Sequence, residues 1–263
     1  MPSFFTIELS DPRFESDNLR LITVKSPALK KRADITVFVP DVPLSDLRGM
    51  VILLHGVYGS HWAWTLKGGV HKTAQRLIND GVIPPLLLVM PSDGLFGDGS
   101  GYVPHQGEDY EKWIVEEVPK VVNERITGRS LPLFITGLSM GGYGALRLGA
   151  KYPDKFRAFS GHSSITVFDQ LSQFVEDFEG FVASVKTQES VLESLLKNKS
   201  SLSPFRFDCG SEDRLIEPNR ELHQALRQHQ IQHTYEEFSG GHEWVYWEKH
   251  IVASLLFFGR FCR

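Results

Sequence analysis

Leu131-Pro-Leu-Phe-Ile-Thr-Gly-Leu-Ser-Met-Gly-Gly-Tyr-Gly-Ala-Leu-Arg147 is the stretch on which the fold turns. The apolar run Leu133 to Ile135 reads as a short buried strand, because too few residues precede the glycines for anything else. Gly137-Leu138-Ser139-Met140-Gly141 then forms a G-x-S-x-G pattern, and Tyr143 to Lys151 leaves room for a helix. A serine on a sharp strand-to-helix turn crowds its neighbours, so the flanking positions need glycine for the backbone to close. Such a turn lifts the hydroxyl clear of the sheet, beside the free N–H groups of a helix N-terminus, where developing negative charge is favoured. The pentapeptide alone does not separate a nucleophile from an ordinary glycine turn; the partners elsewhere in the chain decide.

Upstream, the segments around Phe4 to Leu9, Leu19 to Val24 and Ala33 to Val39 alternate or are rich in β-branched residues. They read as antiparallel strands, with Lys30-Lys31-Arg32 at a hairpin. From Met50 the rhythm becomes strand, loop, helix. Val51 to Leu54 is a bare apolar strand of a sheet covered on both faces, and Leu86 to Met90 is the next. Val70, Ala74, Leu77 and Ile78 form a helical stripe closed by Gly81. Tyr110, Ile114, Val118 and Val121 mark another helix, which Pro119 should kink or restart.

Downstream, Phe156 to Ser160, Phe205 to Cys209 and His233 to Phe238 read as strands. A helix carrying Pro218, Leu222 and Leu226 and a terminal one carrying Trp244, Trp247, Ile251, Leu255 and Phe258 alternate with them. Alternation of this kind predicts an α/β fold, a mostly parallel, doubly wound sheet with helices on both faces. Residues 165–202 interrupt it with two amphipathic helices, around Phe168 to Val185 and Glu189 to Lys197. That insertion can cap a site at the C-terminal edge of the sheet.

Composition narrows the function. With 263 residues and 41% hydrophobic content the chain is most simply one domain, 1–263. A net charge of −4 without a basic block argues against nucleic acid or a membrane as partner. The N-terminus lacks the pattern of a signal peptide, and no stretch reaches the length of a spanning helix. Two cysteines, Cys209 and Cys262, suggest a reducing compartment, so the expected location is the cytoplasm. No metal or cofactor is expected: His55, His61, Asp93 and Asp98 lack ligand spacing, and no phosphate or dinucleotide fingerprint occurs.

A serine hydroxyl needs a base, and the base needs a group to fix its tautomer. His242 follows the last strand in Gly240-Gly241-His242, at the sheet edge where ligands of open α/β sheets gather. His223, His229 and His250 fall on helix surfaces and read as solvated; His55 reads as shaping the loop after its strand. Among the acids, Asp208 lies within a strand on the face of Arg206, which suits a structural ion pair. Asp213 lies past Gly210 in the loop and is the better orienting carboxylate, with Glu212 as the alternative. The order Ser139, Asp213, His242 is that of α/β-hydrolases. Two oxyanion donors follow: the N–H of Met140 and, from His55-Gly56-Val57-Tyr58-Gly59, that of Val57.

Gly-Leu-Ser-Met-Gly-Gly-Tyr-Gly, the Leu-His-Gly loop, Cys-Gly-Ser-Glu-Asp and His-Glu-Trp-Val-Tyr-Trp-Glu-Lys together resemble the esterase D-like, or putative-esterase, family. The closest likeness is to bacterial tributyrin-type esterases, with feruloyl esterases, S-formylglutathione hydrolases and mycolyltransferases as cousins. It runs from about Val51 to Phe258. The resemblance implies an α/β-hydrolase fold, a triad of Ser139, Asp213 and His242, and oxyanion donors at Val57 and Met140. The expected activity is hydrolysis of a small-molecule short-chain acyl ester through an acyl-enzyme. Acyl transfer or thioester hydrolysis on the same triad, or a non-catalytic binding module, are the alternatives. Tyr58, His162 and Trp244 are the expected substrate contacts; His162 stands where relatives often have a small residue and should narrow the pocket. The apolar face of Phe168, Leu171, Phe174, Val175, Phe178 and Phe181 should roof it, with Trp62 or Trp64 opposite.

Overall fold

The computed structural model describes residues 6–94 and 96–262. Among the described residues nine strands make one sheet: β1 (Ile7–Leu9), β2 (Leu19–Lys25), β3 (Arg32–Phe38), β4 (Gly49–Leu54), β5 (Leu86–Pro91), β6 (Leu133–Gly137), β7 (Phe156–His162), β8 (Phe205–Gly210) and β9 (Thr234–Phe238). Their order is β1-β2-β3-β5-β4-β6-β7-β8-β9. β1, β2 and β3 pair antiparallel with one another, and β3 pairs antiparallel with β5. From β5 onward every pairing is parallel. Residues 1–5, which include the start of the first expected strand and of the N-terminal stretch without a signal-peptide pattern, lie outside the described residues.

All six residues of β4 are buried, and the period of two divides them between layers. Met50, Ile52 and Leu54 join the core shared with Ile114, Val118, Leu146, Leu222 and Leu226. Val51 and Leu53 join the other, with Val70, Ala74, Leu77, Ile251, Leu255 and Phe258. The sheet is therefore sandwiched, with the helices Val70–Asn79 and Trp244–Gly259 on one face and the serine helix Met140–Lys151 on the other.

Pro119 restarts its helix, as its missing N–H requires. A π-helical turn, Trp113–Glu117, comes just before the α-helical Val118–Val122, in which Pro119 occupies the first turn.

The insertion departs from two long helices. A 3₁₀ segment, Phe168–Gln173, ends at Phe174, and Asp177 then caps a separate helix, Phe178–Ser184, by accepting the Gly180 N–H. The third piece, Val191–Lys197, starts with a capping box between Ser190 and Glu193. The apolar spacing of three and four survives the break because 3₁₀ and α turns share the i, i+3 face. His250 is also not solvated: it is buried on the terminal helix, stacked on Phe238 and against the tilted ring of Tyr246, at 4.3 Å from each ring. His223 is half-buried and within hydrogen-bond distance of His233, at 2.8 Å.

Candidate active site

The turn after β6 holds Ser139 at φ 55°, ψ −119°, a conformation that costs a residue with a Cβ and persists only where the surroundings fix it. Three contacts do so. The Ser139 N–H donates to His162 O at 2.9 Å, Gly141 N–H to Leu138 O at 2.7 Å, and Tyr143 N–H to Ser139 O at 3.1 Å. Both motif glycines are required by contact. A Cβ on Gly137 would lie 2.2 Å from the Gly141 carbonyl oxygen, and one on Gly141 2.3 Å from that of Leu54. These neighbours are backbone and cannot swing aside.

Ser139 Oγ lies 3.0 Å from His242 Nε2. His242 Nδ1 lies 3.0 and 2.9 Å from the two oxygens of Asp213. An ionised carboxylate only accepts, so Nδ1 carries the proton and the lone pair of Nε2 faces the serine hydroxyl. Burial alone would raise the Asp213 carboxyl; the hydrogen bonds from His242 and from the Leu215 amide help to outweigh it and hold the pKa below the ordinary value. Asp213 is wholly buried, while His242 keeps 14% of its side chain exposed, on the substrate side. Glu212, the alternative acid, is exposed and its carboxylate meets Ser211 and Ser239.

Facing Ser139 is the loop after β4. Among the described residues the amides of Val57 and Met140 have no hydrogen-bond acceptor, so both are free to meet a ligand oxygen. His55 does shape this loop. Its Nδ1–H donates to Gly56 O at 2.7 Å, its Nε2 accepts the Asp93 N–H at 3.1 Å, and its carbonyl accepts the Tyr102 hydroxyl at 3.0 Å.

A cavity of about 500 Å³ opens over Ser139 and His242. Val57, Tyr58, Trp62, Trp244, Trp247 and Phe174 are its larger apolar and aromatic lining residues. Tyr58 and Trp244 both line it, and the Tyr58 hydroxyl is engaged, donating to Phe174 O at 2.6 Å. His162, expected to narrow the pocket, does not line this cavity. It is fully buried below the turn, with Nδ1 3.1 Å from Asp208 Oδ1 and Nε2 2.9 Å from Ser254 Oγ. Its backbone carbonyl supports Ser139 from beneath. Asp208 belongs to that same buried group: Arg206 reaches it at 2.7 Å and the Tyr246 hydroxyl at 2.9 Å.

The expected roof is narrower than the sequence suggested. Phe168 and Phe181 stack on each other at 5.3 Å in the core. Phe174 alone of that set lines the cavity, its ring stacked on His242 at 5.5 Å. Trp64 is buried and donates its indole N–H to Leu54 O, so only Trp62 serves as wall. Sequence reasoning missed Lys67 and Arg214, which also line the cavity. Arg214 had a signal in being next to Asp213; Lys67 had none. Among the described residues no group of three or more His, Cys, Asp or Glu is placed to hold a metal.

A parallel sheet with a strained serine after one strand, and a histidine and a buried aspartate after two others, defines the α/β-hydrolase class. Residues 26–258 match the sequence profile described as "Putative esterase", and the chain belongs to that family. It is a carboxylic ester hydrolase. It is similar to an acetyl esterase from Caldicellulosiruptor saccharolyticus, 28% identical over 88% of this chain and 94% of the relative. Among solved structures, a ferulic acid esterase superposes with a TM-score of 0.81 at 24% identity, over 98% of this chain and all of the other. S-formylglutathione hydrolase from Staphylococcus aureus superposes with a TM-score of 0.76 at 20% identity, over 96% and 98%. No described helix is long and apolar enough to cross a membrane.

Proposed function

We propose that Ser139 is the nucleophile of a short-chain acyl esterase, with His242 as its base and Asp213 as the carboxylate that orients it. The observation that carries this is the continuous line from Ser139 Oγ to His242 Nε2 at 3.0 Å and from Nδ1 to Asp213 at 2.9 Å. Oγ attacks the ester carbonyl as its proton passes to Nε2. The carbonyl electrons move onto oxygen, which the Val57 and Met140 amides receive. Collapse expels the alcohol, protonated from Nε2, and leaves an acyl group on Ser139. Water, activated by the same imidazole, reverses these steps and frees the acid.

Residues 165–202 act as a cap through Phe174, and the aromatic walls limit the acyl group to roughly acetyl through butyryl. The similarity to an acetyl esterase supports a small acyl group. Two unpaired thiols, Cys209 buried and Cys262 half-buried, support a reducing, cytoplasmic setting. The test is a rapid-mixing assay with p-nitrophenyl acetate. The wild type should release a burst of nitrophenol of one equivalent or less, and Ser139→Ala should lose at least about 10⁴-fold in kcat. Comparable turnover by Ser139→Ala would overturn the reading.

A further inference from the structure

The cavity mouth carries charge that hydrolysis of a neutral ester does not use. Arg214 lies one residue past Asp213, with its guanidinium 5.2 Å over the Phe174 ring, and Phe174 in turn stacks on His242 at 5.5 Å. Lys67 Nζ lies 5.4 Å over Trp244, which meets Trp247 at 5.4 Å, and Trp247 meets His242 at 5.0 Å. Two cations are therefore linked to the imidazole through one ring and two rings respectively. Both line the cavity that contains Ser139.

Among the described residues neither cation has a carboxylate within ion-pair distance. An aromatic face positions a cation without cancelling its charge. The chain as a whole is acidic, at −4, so unpaired cations here do not reflect a basic surface. One carboxylate, Glu243, also lines the cavity. Its Oε1 runs back along Gly241, 3.9 Å from where a Cβ there would stand.

From this arrangement we infer that the ester this site selects bears an anionic group, of which a carboxylate is the simplest, received by Arg214 and Lys67 at the mouth. The inference rests on the Ser139 reading above and adds the substrate's charge to it. A planar guanidinium held on a ring offers a fixed fork to a carboxylate, and such charge-assisted hydrogen bonds outlast those to neutral groups. Both side chains are exposed, so the attraction is moderate and screened by salt.

The anion can belong to the acid or to the alcohol, and matched pairs separate the two. On the acyl side, monoethyl succinate is compared with ethyl butanoate, both four-carbon acyl groups. On the alcohol side, 4-acetoxybenzoate is compared with 4-acetoxybenzamide. The ratio of kcat/KM, anionic over neutral, is measured in wild type, R214Q, K67Q and the double variant, at about 20 and about 500 mM salt. In one arm the ratio should fall roughly three- to tenfold in the double variant, and fall with salt in the wild type only. That arm identifies which half of the ester carries the anion.

A ratio unmoved by the substitutions in both arms overturns the inference, whatever salt does. Turnover of the neutral esters with labelling of Ser139, alongside such a flat ratio, rejects the anion alone. Absence of any turnover and of labelling rejects the Ser139 reading and this inference with it.

Discussion

Tyr58 donates its hydroxyl to the backbone carbonyl of Phe174 at 2.6 Å, tying the loop that carries the Val57 amide to the segment stacked on His242. Two further bonds close the same clasp. Tyr58 N–H donates to Asp98 O at 2.8 Å, and the Asp98 carboxylate accepts the Glu176 N–H at 2.7 Å. Tyr58 holds φ 57°, a left-handed conformation costly for a side chain of this size, which the clasp keeps in place.

Tyr58→Phe removes one hydrogen bond from a ring that is 71% exposed, so folding should be little affected. A looser loop presents the Val57 amide less well to an oxyanion, which exists only in the transition state. We expect kcat to fall roughly three- to tenfold with KM nearly constant, corresponding to one hydrogen bond. Steady-state kinetics decide; a rise in KM at constant kcat would mean that Tyr58 acts on substrate binding.

Asp213→Asn should lower kcat by about 10⁴, because the amide lets the imidazole take the wrong tautomer. Asp208→Asn should appear in stability instead, since it leaves Arg206 and His162 without their buried carboxylate, at a cost of roughly 3–5 kcal/mol. Denaturant unfolding and kinetics on both variants separate the roles. The reverse pattern would exchange the two aspartates.

Much of this was legible in the sequence. Gly137 and Gly141 announced the turn because only a residue without Cβ clears the Gly141 and Leu54 carbonyls. Asp213 could be told from Asp208 because one lies past the strand end and the other inside it beside Arg206. His162 misled. The sequence put it past a strand ending at Ser160, but β7 runs on to His162, which pairs with Asp208 of β8 and is buried there; local sequence does not encode how far a strand extends. The insertion misled for a related reason: a periodic apolar face fixes which residues are buried, not which neighbour buries them. Hence Phe168 and Phe181 pack on each other while Phe174 reaches the site.

Phe174→Ala should move the acyl-length optimum toward longer chains, as the one insertion phenylalanine on the cavity wall. Each accommodated methylene gains about 0.8 kcal/mol. Phe168→Ala should leave the optimum in place and lower stability by about 3–5 kcal/mol. A series of p-nitrophenyl esters from acetate to octanoate reads the first effect and thermal unfolding the second.

Burial holds the imidazoles of His61, His71, His105, His223, His233 and His250 below their ordinary pKa of 6.5. Below pH 6.5 the unfolded chain therefore binds more protons than the folded one, and stability falls with pH until the folded values are passed. We expect Tm to be level from pH 8 to 7 and to decline from about pH 6.5 downward, before carboxylate titration begins. A Tm that holds or rises between about pH 6.5 and 5 would contradict this.

The central claim is that one serine, Ser139, is activated by His242. Its most direct measurement is the site and number of labels left by a fluorophosphonate, read by intact mass and peptide mapping. One adduct on Ser139, absent from Ser139→Ala and strongly slowed in His242→Ala, is the expected result. An adduct on any other serine, or undiminished labelling of Ser139→Ala, would contradict it.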